Sequence, residues 1–212
     1  MRGSARFATA IVMLVICGFS VAQGWTIIRF SVATMTGASP EKRTEIAQTW
    51  GTTPGVASRA LRTVLADKID IADQKAANEQ REALSAILSI NPLSSGDWLS
   101  LSGMQLVTDQ PMDDVLESLR LSALTGPNEG SVMSERGIYG VSLWESLPAD
   151  LKSRVANDLL PVLSQRTSAE GAEAGKLRAL VSAQPQRVRR ELREALLATG
   201  ISPNEIERGF GL

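Results

Sequence analysis

Between Arg6 and Arg29 the chain runs for 22 residues, Phe7 to Ile28, without a charge. A helix of that length covers roughly 33 Å at 1.5 Å per residue, enough for the hydrocarbon of a bilayer. This stretch, FATAIVMLVICGFSVAQGWTII, limits the fold more than any other feature, because so long an apolar rod needs lipid or protein around it. Arg2 and Arg6 precede it, and the first acidic residue is Glu41, so residues 1–29 carry +3 and residues 30–212 carry −4. By the positive-inside bias, residues 1–6 are expected to form a short cytoplasmic tail, with the bulk of the chain outside a bacterial inner membrane, in the periplasm.

Two fates compete for the apolar stretch. As an uncleaved signal-anchor it spans the membrane once over residues 7–28, with Trp25 at the outer interface, where indole rings are favoured. As a cleaved signal peptide it uses Phe7–Phe19 as its apolar core and Ser20-Val21-Ala22 as the small-x-small site before Gln23. The apolar character continues through Trp25, Ile27 and Ile28, which an anchor uses and a cleaved peptide does not need. Cys17 follows Ile16 rather than a small residue, so it is expected to be a packing cysteine and not a lipid-attachment site.

Composition removes whole classes of chemistry. The chain has no histidine, which excludes His-dependent triads, His-ligated metals and imidazole acid–base catalysis. Its one cysteine cannot close an intramolecular disulfide or build a Cys-rich zinc site. A net charge of −1 gives no global attraction to nucleic acid. No cofactor and no metal are expected.

After residue 51 the pattern is helical, with no sustained alternation of β-branched and polar residues. Residues 29–51 form a juxtamembrane segment with a Thr/Gly/Ser/Pro patch at Thr34–Pro40 and a short helix over Glu41–Trp50. Thr53-Pro54 reads as an N-cap followed by proline at the first helical position, with Val56, Ala60, Val64 and Leu65 on one face. A helix from Ala72 to Ile90 sets Ala76, Ala83, Leu84, Ile87 and Leu88 together, and Asn91-Pro92 stops it. Ser94 or Ser95 caps the helix with Trp98, Leu101 and Leu106. Pro111 opens the next, whose stripe is Met112, Val115, Leu116, Leu119 and Ala123, and Gly126-Pro127 ends it. Ser131 is expected to cap a helix reaching Trp144. Pro148 opens one with Leu151, Val155 and Leu159 inward, which Pro161 kinks or divides. Gly171–Gly175 reads as a loop, Lys176–Ala183 and Pro185–Thr199 as helices, and Ser202-Pro203 as the start of a terminal turn. The expected fold class is all-α: one N-terminal transmembrane helix, then a helical domain over 52–212.

Prolines 92, 127 and 161 lie 35 and 34 residues apart. After Pro92 come Trp98, Leu101 and the small Ser102, and the following helix brings Val115, Leu119 and Ser122 before Gly126-Pro127. This order resembles one degenerate tetratricopeptide unit near 92–127, defined by Pro92, Trp98, Leu101, Ser102, Leu119 and Pro127. In such a unit the aromatic fills the gap between paired helices and the small residue lets them approach. Gln105 replaces the usual aromatic, and in the flanking register only Met133 and Gly137 agree. The domain is thus either a tetratricopeptide-like stack or an irregular bundle of antiparallel helices. Asn91-Pro92 to Trp98, Gly126-Pro127 and Leu143-Trp144-Glu145-Ser146-Leu147-Pro148 together resemble membrane-anchored accessory proteins of bacterial surface polysaccharide biosynthesis. That resemblance implies exopolysaccharide or O-antigen biosynthesis or export, with protein partners in the inner membrane or periplasm.

Few residues invite a functional role. Asp113, Asp114 and Glu117 sit on the opening turns of one helix, where negative charge complements the macrodipole; a glycoside-cleaving pair would need two carboxyls across a cleft, one of them desolvated. Asp67, Asp70 and Asp73 recur every third residue without the glycine and distal glutamate of a calcium loop, so a helix cap at Asp70 or Asp73 is the simpler use. Arg187, Arg189, Arg190 and Arg193 form the densest charge feature. Interleaved with Glu191 and Glu194, they read as a solvated face with local ion pairs, or as an interaction surface for anionic lipid or acidic polysaccharide. Trp98 and Trp144 are expected to fill core rather than stack on sugars. The expected function is a non-catalytic membrane-anchored scaffold. The alternatives are a cleaved, secreted ligand-binding module and a carboxylate-dependent carbohydrate-active enzyme.

Overall fold

The computed structural model describes residues 2–34, 39–53, 56–65, 73–164 and 170–212. Among the described residues every regular element is helical, twelve α-helices and one 3-10 turn, with no strand. They divide into two compact units, Met1–Asn91 and Pro92–Leu212. The boundary falls at Asn91-Pro92, where the chain leaves its helical path and proline offers no N–H to continue it.

In the first unit α1 (Arg2–Thr34) continues past Ile28. Phe30 is buried with Ile46, Val56 and Ala60, and Trp50 packs against this cluster. The Trp50 ring meets Phe30 edge-on at 6.0 Å between centroids, and the Arg29 guanidinium lies 5.8 Å from the Trp50 centroid. From Phe30 onward, then, α1 is partly covered by protein. Before it, Val15, Ile16, Phe19, Val21, Trp25 and Ile28 are all more than half exposed.

Helix α2 (Pro40–Trp50) starts at Pro40, one residue before the expected Glu41, and is capped by Ser39, whose hydroxyl accepts from Lys42 N at 3.4 Å. Of the Thr34–Pro40 patch, residues 35–38 lie outside the described residues, as does Pro54 of the expected Thr53-Pro54 cap. Helix α3 (Ala57–Leu65) follows, led by Val56 and Ala57 amides on Thr53 O. Val56 and Ala60 are buried as expected, while Val64 and Leu65 are half-buried. Helix α4 (Gln74–Ile90) is capped by Asp73, whose Oδ1 accepts from Lys75 N and Ala76 N at 3.1 Å each. Asp67 and Asp70 lie outside the described residues. The buried line is Ala77, Gln80, Ala83, Leu84, Ile87 and Leu88. Ala77 rather than Ala76 belongs to it, because steps of three and four place 77, 80, 84 and 87 on one face.

The second unit begins with the hairpin of α5 (Ser95–Val107) and α6 (Met112–Thr125). Its turn carries the crossed bonds Asp109 N to Leu106 O and Gln110 N to Gln105 O, with Asp109 left-handed at φ 53°. That is a Schellman closure, with aspartate where glycine is usual. Ser94 occupies the N-cap of α5 without a side-chain bond, because the hydroxyl facing a partner is that of Ser95, donating to Glu129 Oε2 at 2.5 Å. Helix α7 (Gly130–Ser142) therefore starts at Glu129 and not at the expected Ser131. Trp144 lies in the 3-10 turn Trp144–Ser146. Pro148 leads α8 (Ala149–Asp158), and Leu159 separates it from α9 (Leu160–Ser164), so Pro161 marks a division.

Helix α10 (Glu170–Ala183) replaces the loop expected at Gly171–Gly175. Two glycines cost about 2 kcal/mol of propensity, but Ala and Glu between them are strong helix formers, and Leu177 and Val181 bury completely further along. Helix α11 (Gln186–Ala198) ends at Gly200, which takes φ 90°. A capping box of Ser202 and Glu205 opens α12 (Pro203–Phe210), a full helix where only a turn was expected. Among the described residues, one connected core of nineteen buried side chains runs from Leu99 through Trp144, Leu159 and Leu192 to Phe210. Gly137 and Gly140 let α7 lie directly on α8. A Cβ at Gly140 would sit 2.3 Å from Val155 Cγ2, and one at Gly137 would sit 3.0 Å from the Asp158 carbonyl carbon.

Candidate functional site

Helix α11 carries the four arginines singled out in the sequence. Its buried line is Val188, Leu192 and Leu196, which turns Arg187, Arg190 and Arg193 to solvent and leaves Arg189 half-buried. Arg187 pairs with Glu191, Nε to Oε1 at 3.1 Å. Glu191 is also engaged by α8 and the 3-10 turn: Lys152 Nζ donates to Oε2 at 2.7 Å and Trp144 Nε1 donates to the same oxygen at 3.3 Å. The Lys152 bond, followed by the charges of Lys152 and Arg187 and the indole N–H, holds the Glu191 carboxyl below its ordinary range against partial desolvation. Lys152 Nζ also lies 5.5 Å from the centre of the Trp144 ring, a cation–π contact. Thus Trp144 is core, as expected, and only one of the four arginines has the local ion pair that the interleaved glutamates suggested.

The residues of the 92–127 unit are split between core and surface. Leu101, Ser102 and Leu119 are buried on the facing sides of α5 and α6. Ser102 Oγ donates to Val115 O at 2.8 Å, so the small residue both permits the close approach and bonds across it. Tyr139 of α7 joins there, its hydroxyl donating to Ser102 O at 3.2 Å; desolvation raises its pKa, opposed by the Ser102 hydrogen bond. Pro92 and Pro127 are exposed. Trp98 departs from the expected gap-filling role. It is half-buried and outside the core, because its indole N–H takes the Pro92 carbonyl as acceptor at 2.8 Å.

The most enclosed polar constellation was not legible in the sequence. Arg136 of α7 is 1% exposed and Asp158 of α8 is 0% exposed. They meet in a two-toothed pair, Nε to Oδ2 at 2.6 Å and a terminal nitrogen to Oδ1 at 3.0 Å. The other terminal nitrogen of Arg136 donates to Ser122 O at 3.0 Å and lies 3.2 Å from Ser122 Oγ, answering a carbonyl in the last turn of α6. Arg154, one turn before Asp158 on α8, lies 3.1 Å from Oδ1 and donates to Pro127 O. Gly126 is required here for space, since a Cβ would meet Ser95 at 2.4 Å. Its φ of −133° needs no glycine. Arg136 follows no charge pattern, and its partner is 22 residues away, so no local spacing announces the pair.

Asp113, Asp114 and Glu117 line an open depression of about 660 Å³ with Arg120, Ser146 and Pro148. All three carboxylates are exposed, and Glu117 is bonded to Arg120 at 3.0 Å. Arg120 also bonds Asp150 of α8 at 3.2 Å; this contact holds the Asp150 carboxyl below its ordinary range. The arrangement ties α6 to α8. Among the described residues no group of three or more acidic or cysteine side chains is placed to hold a metal. Cys17 is exposed on α1.

The described residues define an all-helical protein with one N-terminal apolar helix that is long enough to cross a membrane and could serve as an anchor or as a signal sequence. Compared with family models, curated proteins and solved structures, the chain gives no match.

Proposed function

We propose that this chain is a non-catalytic scaffold held in the bacterial inner membrane by residues 7–28. Its helical body lies in the periplasm and holds protein partners of surface polysaccharide biosynthesis or export. The observation that carries the anchor is the change of surroundings along α1. The large apolar side chains described from Val12 to Ile28 are exposed, as is Val32 further on, while Phe30 between them packs under Trp50. A rod exposed in this way is stable in lipid and costly in water. The scaffold role is supported by the α5–α6 hairpin, whose Ser102 approach suits a tetratricopeptide-like unit, and by the lack of histidine. Exposure of Asp113, Asp114 and Glu117 also favours binding over catalysis, because a general acid needs a desolvated carboxyl. The polysaccharide process comes from the sequence resemblance.

Replacing residues 1–29 with a cleavable signal tests the anchor. Surface polysaccharide output is expected to fall while helical circular dichroism of the body is retained, and crosslinking from membranes is expected to recover a polymerase, ligase or export component. Full output from the soluble form, or a cytosolic C-terminal reporter, overturns the proposal. A second reading, a secreted module cleaved after Ala22, draws on the same exposed helix and its Ser20-Val21-Ala22 site. Intact mass of the mature protein separates the two.

A further inference from the structure

We propose that the outer face of α11 docks on an anionic phospholipid surface through Arg190 and Arg193; this rests on the anchored reading above. In sequence, Glu191 and Glu194 would neutralise these arginines. The fold removes the first: Glu191 is turned to α8 and occupied by Lys152, the Trp144 indole and Arg187. Glu194 is exposed and pairs with neither Arg190 nor Arg193. Arg190 and Arg193 are exposed and have no ion pair with a described residue, whereas Arg189 is half-buried with its Nε shielded from solvent. Two exposed guanidiniums are thus left without an ion pair within about 5 Å along one helix.

The surrounding unit sharpens this. Residues 92–212 contain twelve Arg and Lys against sixteen Asp and Glu, a net charge of −4. An acidic body with one cationic helix turns that helix toward a negative plane and its remainder away from it. A linear acidic polymer needs a track of cations to lie along, and α11 offers only a spot. A lipid plane presents phosphates to any spot brought against it, and an anchored chain supplies the local concentration. Near such a surface two arginines raise the docked population roughly thirtyfold.

The test uses the full chain in nanodiscs of phosphatidylcholine alone or with phosphatidylglycerol, and reads phenylglyoxal modification of each arginine by mass spectrometry. Modification of Arg190 and Arg193 is expected to slow several-fold only with phosphatidylglycerol, to recover in high salt, and to leave exposed Arg208 unchanged as reference. Equal rates in both lipids overturn the proposal. So does slowing by a soluble polyuronate in phosphatidylcholine discs, which assigns the face to an acidic polymer. A chain that fails to co-elute with discs of either lipid overturns the anchor itself, and the tethered docking with it.

Discussion

The two units are built from the same helical vocabulary and are held together by different means. In Met1–Asn91 the connected apolar cluster is small, Phe30, Ile46, Val56 and Ala60 under Trp50, and its strongest specific contacts are one edge-on ring pair and one cation–π contact. Among the described residues of Pro92–Leu212 nineteen buried side chains form one core, and that unit also holds a fully enclosed Arg136–Asp158 pair. The second unit can bury a charge pair because both of its members find further hydrogen bonds there. Among the described residues of the first unit, the buried line of α4 (Ala77, Ala83, Leu84, Ile87 and Leu88) adds apolar surface beside this cluster but encloses no charge pair. Local propensity makes the helices in both; the amount of apolar surface they can bring together separates them.

Asp158→Ala is expected to produce the largest loss. It leaves Arg136 buried and unpaired, at a cost of about 3–5 kcal/mol, read by urea unfolding. The double change Arg136→Met with Asp158→Leu should recover most of that loss, and failure to do so would mean that the pair is needed for more than neutralising itself. Gly140→Ala comes next. Despite a helix-propensity gain of about 1 kcal/mol, the collision with Val155 gives a net cost of about 1–3 kcal/mol and separates α7 from α8. Trp50→Ala should cost about 2 kcal/mol and speed amide exchange in α2 and α3. Faster exchange in α8 and α11 as well would break the distinction between the units.

Ser102→Ala removes a bond across the α5–α6 seam and should cost about 1 kcal/mol. Tyr139 is the only tyrosine, so its ultraviolet titration reports the same seam directly. Its midpoint is expected above that of free tyrosine, and higher still in the variant, because the Ser102 bond lowers it. The smallest effect is the acid dependence of the α8–α11 link. Glu191 has a folded pKa below its unfolded value, so its contribution is present above the unfolded carboxylate range and is lost as pH falls through the folded value. Thermal melts from about pH 6 to about pH 3 should lose stability, and Glu191→Gln should flatten that slope.

Much of the second unit was legible in the sequence because its signals are local. Proline at 111, 148 and 185 immediately precedes helices, and apolar steps of three and four placed Val115, Leu119, Leu151 and Val155 inside. The errors have local causes too. Two glycines suggested a loop where α10 runs, because the burial of Leu177 and Val181 that offsets them is not visible in a window of five residues. Ser131 looked like a cap because it precedes an apolar run, while the chain turns at Glu129 to meet Ser95. The arginines of α11 were visible, but which of them keep a free charge depended on Lys152 and Trp144, some forty residues earlier.

What the sequence by itself determined is the helical class, the apolar rod at residues 7–28, and the chemistry a histidine-free chain cannot perform. Those follow from periodicity and composition, which act over a few turns of one segment. Only the tertiary structure decided that Arg136 and Asp158 are enclosed together, that Phe30 is buried under Trp50, and that Glu191 is drawn off from its neighbours on α11. Each of these depends on helices distant in sequence coming within hydrogen-bonding or van der Waals reach, and pairing at that range leaves no period in the chain to read.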